Sequence, residues 1–145
     1  MKFISSNYDS TKGESEVVMQ HLGEKFTGRA KIHASEKDKE SRYAGCYYAE
    51  LKATIKALKY ERKLAKVKAD MALDFVKSLE CYKNFDKESP SAKVVYRQLN
   101  QRIKKVNDLA DEINYYLGEL QDSIKRRDII IKVIKNKRES KKVNP

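Results

Sequence analysis

The sequence has few cysteines and no long apolar run, the features on which disulfide-rich secreted proteins and membrane-spanning proteins respectively depend. Its 145 residues include no Trp, two Cys, two Pro and five Gly. Cys46 and Cys81 would lie about 50 Å apart on one predicted helix, which is too far for a disulfide within the chain. Two separate thiols indicate a reducing compartment, and neither a signal peptide nor a membrane-spanning apolar run is evident. We therefore expect a soluble, cytoplasmic protein.

Patterns of catalytic and metal-binding residues are also missing. The sequence has no phosphate-binding glycine loop and no nucleophile elbow. His21 and His33 stand alone, without a second ligand at metal-binding spacing. We predict that the protein is not an enzyme, with no catalytic, cofactor-binding or metal-binding residues and no cofactor.

What the sequence does contain is charge and helical periodicity. Charged residues make up 37% of the chain, aromatics make up 9%, and the net charge is +11. This composition suits long helices with narrow buried faces better than a thick core. Two runs of residues follow the 4-3-4-3 spacing that keeps one stripe of a helix facing a partner. They are Ala44, Tyr48, Leu51, Ile55, Leu58, Arg62, Ala65, Ala69, Ala72, Val76 and Leu79, then Ala92, Tyr96, Leu99, Ile103, Val106, Ala110, Ile113, Leu117, Leu120, Ile124, Arg127, Ile131 and Ile134.

The segment between the two runs predicts a tight reversal. Ser89 can cap the second helix and Pro90 fits its first turn. The link at residues 84–88 is so short that the two helices should lie antiparallel. Residues 52–68 carry seven Lys or Arg and one Glu, and their predicted partners, residues 107–123, carry five Asp or Glu and no base. We expect these charges to pair and to select the orientation, while the buried seam supplies the stability.

The predicted fold class is therefore mainly all-α. It is a long antiparallel two-helix coiled-coil hairpin with a small, partly ordered N-terminal arm, and dimerisation into a bundle stays open. The predicted organisation is a single domain with an N-terminal arm of short helix and extended segments (1–40), the hairpin (41–138) and a basic tail (139–145).

Within the arm, the segment from Ser15 to Leu22 is predicted to make two helical turns ended by Gly23. The segment from Gly28 to His33 is either a short strand or an extended linker. The segment from Ser35 to Asp38 resembles a capping box where the long helix could begin.

Apolar residues outside the seam predict a further contact surface. A lone pair of helices would leave them in water, so the N-terminal arm or another copy of the chain should cover them. The predicted apolar partner face consists of Leu64, Met71, Phe75, Leu109 and Tyr116. We accordingly expect a homo-oligomer.

Basic residues concentrate in two segments, 93–106 and 124–145. The predicted nucleic-acid or partner-binding residues are Lys93, Arg97, Arg102, Lys104, Lys105, Lys125, Arg126, Lys132, Lys135 and Arg138. They could form a phosphate-backbone footprint that binds without reading sequence, or a solvated helix face followed by a basic tail. On the seam itself, Arg62 should pair with Asp111 or Glu112, and Arg127 with Tyr48 or Glu50.

Two segments resemble bacteriophage proteins. Gly28-Arg29-Ala30-Lys31-Ile32-His33, followed by Asp38, Gly45, Ala49 and Ala53-Thr54-Ile55-Lys56, resembles the start of small uncharacterised phage proteins with a G-x-A-x-x-H opening. Leu120, Ile124-Lys125, Arg127, Ile131-Lys132, Ile134 and Arg138 are similar to the final helix of UvsY-type recombination mediators, although the terminal aromatic of that family is missing. The second resemblance implies a small, basic, oligomeric protein that loads a recombinase onto single-stranded DNA.

Three functions remain in view from the sequence. The first is a non-catalytic phage or mobile-element accessory protein that binds a nucleoprotein or host protein complex, an anti-CRISPR being one instance. The second is a mediator that binds single-stranded nucleic acid, and the third is a structural coiled-coil scaffold. The expected partners are a host or phage protein complex, nucleic acid without sequence preference, or both, and no membrane.

Overall fold

The computed structural model describes residues 1–31 and 39–143. Three strands come first and two long helices follow. The elements are β1 (Lys2–Asp9), β2 (Glu14–His21), β3 (Glu24–Lys31), α1 (Lys39–Glu80) and α2 (Pro90–Val143).

The two helices form the antiparallel hairpin that the heptad spacing predicts. Near the turn the Tyr96 hydroxyl donates to Glu80 at 2.7 Å, and at the far end the Tyr48 hydroxyl donates to the Ser123 carbonyl at 3.1 Å. The Ser89 hydroxyl accepts a hydrogen bond from the Ala92 N–H at 3.2 Å, which confirms the predicted cap. Small and branched side chains fill the seam: Ile55, Leu58, Ala65, Ala69, Val106, Leu109 and Ile113.

The all-α prediction is wrong, because residues 2–31 form a three-stranded antiparallel sheet in the order β1-β2-β3. The segment from Ser15 to Leu22, predicted to be helical, is almost entirely strand β2. Ser15, Val17 and Met19 are buried on one side of this strand, while the residues between them are partly exposed. That period of two is the period of a strand with one covered face.

The sheet packs on α1 through an unusually close backbone contact. A Cβ added at Gly28 would lie 1.9 Å from the Ala49 carbonyl oxygen and 2.6 Å from the Ala53 amide nitrogen. Ala49 and Ala53 are fully buried there, in a cluster with Val17 and Met19 of β2. Gly28, Ala49 and Ala53 thus have a packing role, because their small size lets a strand lie directly on a helix.

The predicted charge pairing between the helices does not form. Residues 52–68 and 107–123 are all described, and no ion pair within 4 Å joins a base of the first segment to an acid of the second. Instead the Lys52 ammonium donates to the Arg29 carbonyl at 3.1 Å and that of Lys56 to the Thr27 carbonyl at 2.7 Å. These two lysines bind the outer edge of β3, an edge that the sequence analysis did not anticipate.

The boundaries of the hairpin differ modestly from those predicted. Helix α2 continues to Val143, so residues 139–143 of the predicted tail are helical. The predicted capping box at residues 35–38 and His33 lie outside the described residues. Over the residues that the structure describes, neither helix contains a stretch long and apolar enough to cross a bilayer.

Candidate functional site

The sheet covers only the first part of one face of α1. Near the end of this covered part, the Oε2 of Glu61 lies 2.7 Å from the Nε2 of His21. Steps of three and four residues from there lead to Leu64, Met71 and Phe75, which share the face that the sheet covers earlier. Leu64 is 38% exposed, Met71 66% and Phe75 55%. Three of the predicted partner-face residues therefore form one uncovered apolar stripe.

The other two predicted partner-face residues are not on this stripe. Leu109 is 6% exposed and belongs to the seam, where it packs with Val106 and Ile113 at helical spacing. Tyr116 is half-buried, packs against the same seam and contacts the Tyr115 ring with centroids 5.4 Å apart. Their inclusion in a partner face is corrected accordingly, because the orientation of α2 turns them towards α1.

Together with α2, the uncovered stripe forms a groove, which we call the sheet-side groove. One cavity of about 220 Å³ is lined by Met71 and Phe75 of α1 and by Val95, Gln98 and Arg102 of α2. A second, of about 200 Å³, is lined by Leu64 and Lys68 of α1, Arg102 and Lys105 of α2, and Leu22 of the β2–β3 turn. Arg102 lines both cavities, so the two adjoin each other along the groove.

The end of the groove nearest the sheet is positively charged. The Arg102 guanidinium donates to the Lys68 carbonyl at 3.3 Å, and Lys68 and Lys105 line the same cavity as Arg102. Glu61 is the carboxylate that lines this cavity; it lies 3.8 Å from Lys105 and also contacts His21. One shared carboxylate leaves a surplus of positive charge next to apolar side chains.

The remaining predicted bases of residues 93–106 lie on the outer face of α2. Lys93, Arg97 and Lys104 line a shallow depression of about 400 Å³ together with Tyr96. Lys93 also lies 3.8 Å from the largely exposed Glu88. The structure thus divides this basic segment between two surfaces, with Arg102 and Lys105 in the sheet-side groove and the other three outside it.

A further basic surface was missed by the sequence analysis. Lys59, Arg62, Lys63 and Lys66 line a cavity of about 560 Å³ beside Ala110, Ile113 and Asn114, on the opposite side of the seam from the groove. We call these four residues the lysine face. The Arg62 Nε is buried and has no hydrogen-bond partner among the described residues, so the predicted pairing with Asp111 or Glu112 is not made. The sequence signal for this face is the set of bases three and four positions apart, which the charge-pairing prediction matches to the acids of α2 instead.

The last basic segment continues along α2. Lys125, Arg126 and Lys132 are exposed, and Lys135 and Arg138 lie further along the same helix. The predicted pairing of Arg127 with Tyr48 is confirmed, with the guanidinium carbon 5.8 Å from the ring centroid. This contact anchors α2 against the start of α1.

A tyrosine beside it links the same two helices. The Tyr47 hydroxyl donates to Glu119 at 3.0 Å. Burial, and then this hydrogen bond to a carboxylate, raise the pKa of Tyr47 above its usual value. The raised pKa extends to more alkaline pH the range over which the protonated hydroxyl donates this hydrogen bond across the hairpin.

The fold and these surfaces define an α+β protein in which a small antiparallel sheet packs on a long helical hairpin with cationic flanks. Comparison of the chain with protein-family models, curated proteins and solved structures finds no match. No group of three or more His, Cys, Asp or Glu side chains that could hold a metal ion occurs in the part of the chain that the structure describes.

Proposed function

We propose that the protein is a non-catalytic accessory protein that binds a nucleoprotein complex through its cationic surfaces. The observation that carries this proposal is the lysine face, where four bases line one cavity that has no carboxylate among its described lining residues. Phosphate groups are the ligands that such a surface accommodates best, because neutralising them releases bound counterions. Lys93, Arg97 and Lys104 on the outer face of α2 supply a second set of bases for the same purpose.

The biological setting that we propose is a phage or mobile element acting in the bacterial cytoplasm. Its motivation is the resemblance of residues 28–56 to small phage proteins. An inhibitor of a defence complex, such as an anti-CRISPR, is one instance of this class, since such a complex presents both protein and nucleic acid to a binding protein.

A second candidate is a recombination mediator that binds single-stranded nucleic acid directly. The exposed bases Lys125, Arg126 and Lys132 favour it, because they extend the cationic surface along α2 in the segment that resembles UvsY-type proteins. A mediator of this kind should prefer a single strand to a duplex by about tenfold or more. The first candidate requires no such preference.

Fluorescence anisotropy tests the phosphate contacts. The probes are a fluorescein-labelled dT20 strand and a 20-base-pair duplex, and the affinity of each is measured across about 50–300 mM NaCl. We expect binding that weakens steeply with salt. The triple variant Lys59→Glu, Lys63→Glu, Lys66→Glu should bind at least about tenfold more weakly, with a shallower salt dependence, because each lost phosphate contact reduces the slope by about 0.7–0.9.

The matched control changes the net charge equally at the hairpin turn. Lys77→Glu, Lys83→Glu and Lys87→Glu alter three exposed lysines there. Their combination should bind within about threefold of the wild type, because the altered charges lie about a Debye length or more from the lysine face. Equal losses in both triple variants would show that net charge alone matters. A wild-type protein that binds neither probe at about 50 mM NaCl would contradict the proposal.

A further inference from the structure

The sheet-side groove ends against a strained leucine. Leu22 has a φ of +53° and the following Gly23 a φ of +79°, so both central residues of the two-residue β2–β3 turn are left-handed. Turns of this kind favour Asn-Gly, and a bulky residue at the first position is an outlier. Leu22 is also 55% exposed, so that the free protein gains little burial from it. A strained backbone conformation at an exposed apolar residue indicates that its side chain contacts another molecule.

The chemistry of the groove changes along its length. Leu22 stands at the cationic end, beside Lys68, Arg102 and Lys105. Towards the hairpin turn the lining becomes apolar, with Met71, Phe75 and Val95. Leu64 and Phe75 are eleven positions apart, about 16 Å or three turns of α1. A ligand that fills the groove therefore needs acidic groups near one end and apolar groups along the rest.

We propose that the sheet-side groove binds an acidic, apolar segment of a partner protein, about three helical turns long. Its carboxylates face Lys68, Arg102 and Lys105, and its apolar side chains pack against Leu22 and the stripe of α1 that the sheet leaves uncovered. This proposal rests on the proposed function and deepens it by naming the protein component of the complex. The groove continues the surface on which the chain's own sheet already packs.

Two other occupants fit this surface less well. A second copy of the chain, docked with its groove parallel, would bring the three cations of each groove against each other, and like charges at an interface oppose association. Docked with its groove antiparallel, it would cover those cations with apolar side chains, which leaves buried charges without a partner. A nucleic-acid strand would find cations for its phosphates. Surfaces that bind single strands stack several bases on aromatic rings, however, and among the described lining residues of the groove Phe75 alone is aromatic.

The experiment selects peptides from a random 14-residue display library on the purified full-length protein. We expect the enriched peptides to combine Asp or Glu with Leu, Ile or Phe. The best peptide is then synthesised with a fluorescein label, and its affinity is measured by anisotropy for the wild type and for groove variants.

Leu22→Asn should weaken binding at least tenfold while raising the Tm by a few degrees, because asparagine suits the turn and leucine suits the ligand. Met71→Glu should weaken binding at least tenfold without changing the Tm appreciably.

The matched control is Leu73→Glu, at an apolar position 37% exposed and about 200° around α1 from Met71. It should leave peptide affinity within threefold, as should the triple variant of the lysine face. The inference would be overturned if no acidic, apolar peptides were enriched, or if Leu22→Asn left the peptide affinity unchanged. Loss of dT20 binding in the two groove variants, without selection of such peptides, would assign the groove to nucleic acid and also overturn it. Because the lysine-face and groove variants are separate, failure of one proposal is distinguishable from failure of the other.

Discussion

At the scale of single residues, the contact between β3 and α1 depends on the absence of a side chain at Gly28. The Gly28→Ala methyl group would lie 1.9 Å from a carbonyl oxygen of α1, a backbone atom that moves only with the helix. We expect the substitution to lower the free energy of unfolding by at least about 2 kcal/mol, as overpacking of a rigid core does. Urea denaturation followed by circular dichroism measures the change.

The control for this substitution is the same change in an open position. Gly118 lies within α2, and an added Cβ there would meet no heavy atom within 4 Å. Gly118→Ala should therefore raise the free energy of unfolding by up to about 1 kcal/mol, because alanine is the better helix former. Similar effects of the two substitutions would show that the close contact at Gly28 is not tight in solution.

Single residues also show why the sequence was only partly interpretable. The sequence predicts a left-handed conformation at Gly23, and its φ is +79°. Both a helix C-cap and a two-residue hairpin turn require that conformation, so the glycine alone did not distinguish helix from strand. Leu22 in place of the usual asparagine removed the strongest hairpin signal. Gly28, Ala49 and Ala53 are distant in sequence, and their contact becomes visible only once the sheet is placed on the helix.

At the scale of elements, the turn between β1 and β2 contains a carboxylate with a lowered pKa. The Asp9 side chain accepts hydrogen bonds from the Thr11 hydroxyl and N–H, and these hold its pKa below the usual 3.8. The ionised form is the one that the folded turn stabilises. This contribution is therefore present above the unfolded pKa and is lost as the pH falls through the lower folded value.

An NMR titration of the Asp9 carboxyl carbon tests this effect. We expect a midpoint below 3.8 in the wild type, and a midpoint shifted up towards 3.8 in Thr11→Ala, which removes the hydroxyl donor. Ser10→Ala alters a neighbouring hydroxyl that makes no bond to Asp9 and should leave the midpoint unchanged. A wild-type midpoint at or above 3.8 would contradict the geometry of the turn.

Elements differ in how much of their structure the sequence alone reveals. The helices were predictable because one spacing persists from Ala44 to Leu79 in α1 and from Ala92 to Ile134 in α2. Each strand has eight residues, and Val17, Val18 and Met19 run together in β2, which hides the alternation. The strands are also stabilised by packing on α1, a contact that no local pattern encodes. The apolar stripe of the groove was partly predictable, since Leu64, Met71 and Phe75 had no place in the seam.

At the scale of the whole molecule, charge is arranged differently from what the linear sequence indicates. Opposite net charges on residues 52–68 and 107–123 favoured pairing across the hairpin. In the folded chain only side chains flanking the seam come close enough to pair, and the lysine face borders Ala110, Ile113 and Asn114 instead. The described ion pair that does cross the hairpin has the opposite polarity: it joins Glu61, the one acid of residues 52–68, to Lys105, which lies just outside the acidic segment. Like charges consequently accumulate on separate surfaces of a molecule whose net charge is +11.

This arrangement predicts that salt stabilises the protein. Lys59, Lys63 and Lys66 are three and four positions apart, at which like charges on a helix repel each other. Screening should relieve this repulsion, so the Tm should rise between about 20 and 300 mM NaCl. The salt is a chloride, because sulfate stabilises folded proteins by a different route, its exclusion from the protein surface. Lys63→Gln should raise the Tm at low salt and reduce the gain from added salt, whereas Lys105→Gln, which loses the contact with Glu61, should not raise it. A Tm that falls with salt would instead show that attraction between the oppositely charged segments dominates, as the sequence alone indicated.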